Sequence, residues 1–159
     1  MGRVIRRATL NDLEVVVRYN AALATESEGK MLDDAILRRG ITAVLGDVHK
    51  GFYTLVEDDT VVVGQTLVTY EWSDWRNGWY WWIQSVYVRA DARRTGVFRS
   101  LYDHLQTAAT LDPTVIGLRL YVEHDNERAL KTYTSLGMEL EPYKLMGCYP
   151  LPGKSNAIG

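Results

Sequence analysis

The sequence predicts an α/β fold, a mixed sheet with helices on both faces. Three features predict it. Two strand-then-helix successions occupy the middle of the chain, which favours parallel pairing of strands around residues 84 and 119. Two β-rich stretches joined by a short polar connector precede them and favour antiparallel pairing. Two helical patterns lie between the first short strand and those stretches. The resulting order is β-α-α-β-β-β-α-β-α-β.

Taken in order, residues 4–8 suit a first strand. Thr9 then offers a helix cap with Asp12 three positions on, ahead of apolar residues Leu13, Val16, Val17 and Ala21. Polar residues and Gly29 break that helix over 25–30, and a second helix begins near Asp33 or Asp34 and runs to about Leu45. Residues 52–57 and 61–70 are β-rich around the connector Asp58-Asp59-Thr60, a hairpin signal without an Asn-Gly or Asp-Gly turn. A polar turn over 73–78 leads to a third strong strand, 79–88. From Thr95 the pattern turns helical through Val97, Leu101, Leu105 and Ala108, and Pro113 ends it by disfavouring helical geometry at Asp112. Residues 115–122 alternate as a strand and 123–136 read as a helix, with Gly137 suited to a left-handed close. Residues 138–149 supply a last strand pair or one bent strand. A single domain over 1–149 and a loose tail over 150–159 follow.

Composition narrows the function classes. The chain has 159 residues, 47% hydrophobic, with 18 Lys and Arg against 20 Asp and Glu. A net charge near −2 argues against general nucleic-acid binding, which needs a basic face. Cys148 is the only cysteine, so no intrachain disulfide forms. Residues 1–7 lack the apolar run of a signal peptide, Arg6 stands where a myristoylation signal wants Ser or Thr, and no stretch has the roughly 20 apolar residues of a membrane span. The expectation is a soluble, cytoplasmic protein without a membrane partner. His49, His104 and His124 are scattered without metal-ligand spacing, so no metal site is expected.

Two segments carry the chemistry. In the first, the strand bearing Val86 and Val88 runs into the basic turn Arg93-Arg94-Thr95-Gly96, which opens a helix at Val97, Phe98 and Arg99. A helix start leaves N–H groups unpaired and its dipole favours an anion there. Gly96 lets the backbone approach a ligand, and Thr95 can cap the helix or touch a phosphate. In the second segment, Asn126 and Tyr133 are seven apart and so share a helix face at roughly 10 Å, with small Ala129 between them. Asn126 can pair with amides or cap the helix. Tyr133 can donate a proton to a departing thiolate or pack in the core.

Together these residues resemble the GCN5-related N-acetyltransferase (GNAT) family. The family's acetyl-CoA motif is Arg or Gln, two residues, Gly, one residue, then Gly or Ala, and Arg93-Arg94-Thr95-Gly96-Val97-Phe98 is similar to it. Its later motif is matched by Asn126, Ala129, Tyr133, Gly137 and Met138. Phe98 departs from the pattern. Its N–H remains available, but its ring must point into the core or alter the turn. The resemblance implies a GNAT-like acyl-CoA N-acyltransferase fold with acetyl-CoA as acyl-donor cosubstrate. Val86 and Val88 would bond the pantetheine through their backbone, residues 93–99 would hold the pyrophosphate, and Asn126 would touch the pantetheine arm. Tyr133 would be the general acid. Direct transfer needs no covalent enzyme intermediate, so Cys148 is expected to be a strand-packing thiol.

The implied acceptor is a primary amine of a small molecule or peptide. Glu71, beside Trp72 at a strand end, is the leading candidate for general base. Glu26 and Glu28 could instead bind a cationic substrate, and solvated surface acids are the plain alternative for all three. Trp72, Trp75, Trp79, Trp81 and Trp82 fall within eleven residues. They could wall the acceptor site, cover a homodimer interface or pack the core. A non-catalytic acyl-CoA-binding or sensing module is the competing function.

Overall fold

The computed structural model describes residues 2–154, which fall into two compact units dividing between Leu120 and Tyr121. The first unit holds a five-stranded sheet in the order β1-β2-β3-β4-β5. Its strands are β1 (Arg3–Arg7), β2 (Phe52–Asp58), β3 (Val61–Ser73), β4 (Gly78–Val88) and β5 (Val115–Leu120). The first three pairings are antiparallel and β4–β5 is parallel, the mixture the sequence predicts. Helices α1 (Leu13–Glu28) and α2 (Asp34–Gly46) lie between β1 and β2, and α3 (Val97–Leu111) connects β4 to β5.

Adjacent β-strand residues face opposite sides of a sheet, and Leu55 and Val56, both fully buried, found two separate cores. Leu55 and Tyr53 pack with Val16, Val17 and Ile41 from α1 and α2. Val56 and Val63 pack with Ala92, on the 3-10 turn after β4, and with Val97 and Leu101 at the start of α3. The buried stripe of α3 ends on Ala109 rather than Ala108, and Ala21 on α1 is exposed while Asn20 and Ala24 are buried.

Local chemistry sets the boundaries. Thr9 and Asp12 form the expected capping box, on a single 3-10 turn ahead of α1. α1 runs through the polar stretch expected to break it, because left-handed Gly29 (φ +62°) closes the helix only after Glu28. Glu26 therefore sits on the last turn of a helix rather than in a loop. The β2–β3 hairpin turns on Asp59 and Thr60, both with positive φ, the geometry of a two-residue primed turn without its usual glycine.

Gly64 on β3 sets how closely α3 approaches the sheet. A Cβ built there would lie 2.7 Å from Val97 Cγ1 and 3.4 Å from the Tyr87 carbonyl oxygen. Gly64→Ala is expected to lower stability by about 1–3 kcal/mol in urea melts, with partial recovery in the Gly64→Ala/Val97→Ala double variant.

In the second unit α4 spans Glu127–Ser135, shorter than expected because residues 123–126 form a turn. Its C-terminal closure is the expected one. Gly137 is left-handed (φ +88°), and the N–H groups of Gly137 and Met138 return to the carbonyls of Thr134 and Tyr133. The strand or strand pair expected over 138–149 does not form among the described residues. Pro142 lacks the N–H a ladder requires, and Gly147 weakens strand geometry further. Cys148, expected to pack in that strand, is exposed. Of the expected tail, residues 155–159 lie outside the described residues.

Candidate active site

β4 carries a bulge where the resemblance expects the cofactor strand to splay. Ser85 has φ +50°, and Ser85 and Val86 together oppose one position of β3, between Gln84↔Leu67 and Tyr87↔Gln65. Two buried side chains of β3 satisfy the carbonyls freed at the bulge. Gln65 Nε2 donates to Ser85 O at 3.2 Å, and Thr66 Oγ1 donates to Gln84 O at 3.0 Å. On the other side, pairing with β5 ends at Ile83↔Leu120 while β4 continues to Val88. Residues 84–88, including Val86 and Val88, thus pass beyond the last β5 partner. The Arg89 N–H donates to Val63 O, so by alternation the backbone of Val88 turns away from β3.

The turn after β4 opens α3 with Gly96 as N-cap residue in the left-handed region (φ +81°), and Arg94 is also at positive φ (+66°). No side chain caps α3 and no acidic residue lies in its first turn. A Cβ on Gly96 would have only Arg3 Nη1, at 3.9 Å, within 4 Å. Arg93, Arg94 and Arg99 flank this uncapped helix start in sequence, and the start itself fits an anion such as a pyrophosphate. Thr95 does not cap α3. Its hydroxyl donates to Ala92 O at 2.7 Å. Phe98 leaves the helix start intact and packs one turn along against Tyr102, ring centroids 6.4 Å apart.

Arg3 is a positioning residue that local sequence reading missed. It is anchored by two bonds to Asp58 (2.9 and 3.0 Å) and reaches the turn through Thr95 O at 3.1 Å, Thr95 Oγ1 at 3.3 Å and Ser100 Oγ at 3.4 Å. A brace across some ninety residues of sequence leaves no local pattern to find.

Glu71 lies at the other end of the β3–β4 ribbon, opposite Tyr80. Its Oε1 accepts from Trp82 Nε1 at 3.0 Å and from Arg119 at 2.9 Å, tying β3, β4 and β5 together. Both bonds fall on Oε1, so a proton taken up by Glu71 would go to Oε2. Glu71→Gln is expected to cost about 0.2–1 kcal/mol in thermal or urea unfolding and to lower turnover less than about tenfold. A loss of about 100-fold in a folded variant would instead give Glu71 the base role.

The five tryptophans divide. Trp72 and Trp79 pair edge to face at 4.9 Å and are partly exposed, Trp75 is exposed in the turn, and Trp81 is buried edge-on to Phe52 at 5.2 Å. Packing accounts for Trp81 and the hydrogen bond to Glu71 for Trp82.

In the second unit Asn126 is the N-cap of α4, its Oδ1 accepting from the Ala129 N–H at 3.0 Å. That is the plain alternative of the sequence reading, and it uses the amide oxygen only. Ala129 and Tyr133 are half-buried on α4. Burial pushes the Tyr133 phenol above its ordinary value, so it is held protonated. Glu28 pairs with Lys30 at 3.3 Å, whereas Glu26 reaches Arg93 and Tyr87. No helix among the described residues is long and apolar enough to cross a membrane.

Comparison with known proteins agrees with this architecture. A crystal structure of a possible acetyltransferase from Clostridium difficile 630 is similar at 42% identity and TM-score 0.87, over 92% of this chain and 96% of that one. A ribosomal-protein-alanine N-acetyltransferase from Brucella melitensis biovar Abortus 2308 shares the fold at 17% identity and TM-score 0.75, over 93% and 99%. A glucosamine-6-phosphate N-acetyltransferase from Arabidopsis thaliana does so at 15% and 0.70, over 94% and 99%. None of the curated proteins matches the chain. The profile of the Acetyltransferase (GNAT) family matches residues 17–138, more than three quarters of the chain, and the protein belongs to that acetyltransferase family.

Proposed function

We propose that the protein transfers an acetyl group from acetyl-CoA directly to a primary amine of a small molecule or peptide. The observation that carries this reading is the pairing, within one unit, of a strand end at residues 84–88 that runs past its last β5 partner with an uncapped, arginine-rich helix start at Gly96. The backbone of Val86 and Val88 would hold the pantetheine, and residues 93–99 would hold the pyrophosphate, with Arg3 fixing the turn through Thr95. Asn126 and Ala129 are assigned to the pantetheine arm.

Acetyl-CoA supplies an activated thioester carbonyl. The amine nitrogen forms the new C–N bond, the C–S bond breaks, and Tyr133 gives its phenolic proton to the departing sulfur. Its raised pKa suits this task, since an acid must be protonated at working pH. The amine's proton leaves to a carboxylate or to water. Titration calorimetry with CoA tests the cofactor assignment. Micromolar binding is expected, and no heat at high micromolar CoA contradicts it.

A further inference from the structure

Arg93 is held in this structure by three groups. Its Nε donates to the Val88 carbonyl at 2.9 Å, its terminal nitrogen is ion-paired with Glu26 Oε2, and its guanidinium lies 5.6 Å from the centre of the Tyr87 ring. Tyr87 OH in turn donates to Glu26 Oε1 at 3.3 Å. One cationic member of the pyrophosphate turn, Arg93, therefore occupies the backbone carbonyl assigned above to pantetheine, and a carboxylate from α1 keeps it there.

Two properties suit this contact to being exchanged. The pair is close to half-exposed on both sides, 44% and 46%, so breaking it costs little. Glu26 also sits in the last turn of α1, where the helix dipole disfavours negative charge, and no basic residue of α1 lies in that turn to offset it. A carboxylate so placed needs an external cation, whether a guanidinium or an ammonium.

Resting on the acetyl-CoA reading, we propose that Glu26 is the residue that receives the acceptor's cationic amine, and that Arg93 masks it until the cofactor binds. The anionic pyrophosphate draws Arg93 away, which frees the Val88 carbonyl for pantetheine and the Glu26 carboxylate for the ammonium. The acceptor class is a cationic primary amine, and Glu28, engaged with Lys30, takes no part.

The test measures CoA affinity by calorimetry in four proteins: wild type, Glu26→Gln, Arg93→Gln and the double variant. Glu26→Gln is expected to bind CoA about two- to fivefold more tightly, the worth of an exposed ion pair, because Arg93 no longer has a competitor. In the Arg93→Gln background the same change is expected to leave CoA affinity unaltered, which separates the latch from a general effect of removing a negative charge. With the most active amine of a panel, Glu26→Gln is expected to raise the acceptor KM about tenfold or more with a smaller change in kcat. Unchanged or weaker CoA binding in Glu26→Gln, equal tightening in both backgrounds, or an unchanged acceptor KM each overturns the proposal while leaving the acetyl-CoA reading intact. Failure of the wild type to bind CoA removes that reading, and this inference with it. Circular dichroism melts confirm that each variant is folded.

Discussion

Tyr133→Phe is expected to lower kcat about 100-fold or more while leaving CoA affinity within roughly twofold of wild type. The change deletes one oxygen from a half-buried ring on α4 and keeps its packing. The predicted loss is specific to the chemical step, because the phenol is asked to do nothing until sulfur departs. The pH profile gives a second readout. Burial raises the phenol's pKa above the ordinary tyrosine value of about 10, so the acid form persists through neutral and mildly alkaline pH. The midpoint of the alkaline decline of kcat assigned to Tyr133 should lie above that value, and the decline should vanish in the phenylalanine variant. Turnover unchanged under conditions where chemistry limits the rate removes Tyr133 from the acid role.

Gly96→Asp is expected to weaken CoA binding about 100-fold. A carboxylate would be placed, beside the pyrophosphate it must tolerate, at a helix start that has no acid in its first turn. Like charges brought together in a site cost on the order of several kcal/mol. Backbone strain is a separate contribution, since Gly96 holds φ +81° and a side chain there costs about 1–2 kcal/mol. Asparagine tolerates the left-handed region as well as aspartate does and carries no charge. Gly96→Asn should therefore lose far less than Gly96→Asp. Equal losses in calorimetry would mean that strain, not charge, controls the turn.

Much of the fold was legible because its signals are local. The apolar stripe from Val97 to Leu105, the proline after Asp112, the Thr9–Asp12 box and Gly137 each act within a turn or two of sequence. The features that shape the site are mostly non-local or carried by unexpected residues. The bulge in β4 rests on Ser85, which adopts a positive φ without being glycine, because buried Gln65 and Thr66 take up the carbonyls around it. No pattern in residues 79–88 announces this. The hairpin at Asp59-Thr60 hides its turn type in the same way. The Arg3 brace and the Glu26–Arg93 pair join residues 92 and 67 positions apart, beyond the reach of periodicity. Glu71 stood out by its place beside an aromatic strand end, yet the fold gives it Arg119 and Trp82 as partners. The strand expected over 138–149 had apolar residues enough, but Pro142 in its first half lacks the N–H that a ladder would need.

The central claim is acetyl transfer from acetyl-CoA to an amine, and a panel of cationic primary amines and amino-terminal peptides tests it most directly. Each amine is incubated with the protein and acetyl-CoA, with free thiol followed over time and the product weighed by mass spectrometry. The account predicts enzyme-dependent thiol release for at least one amine, matched mole for mole by a product one acetyl group heavier. Binding of CoA without turnover of any amine in a broad panel would contradict it and favour an acyl-CoA-sensing role.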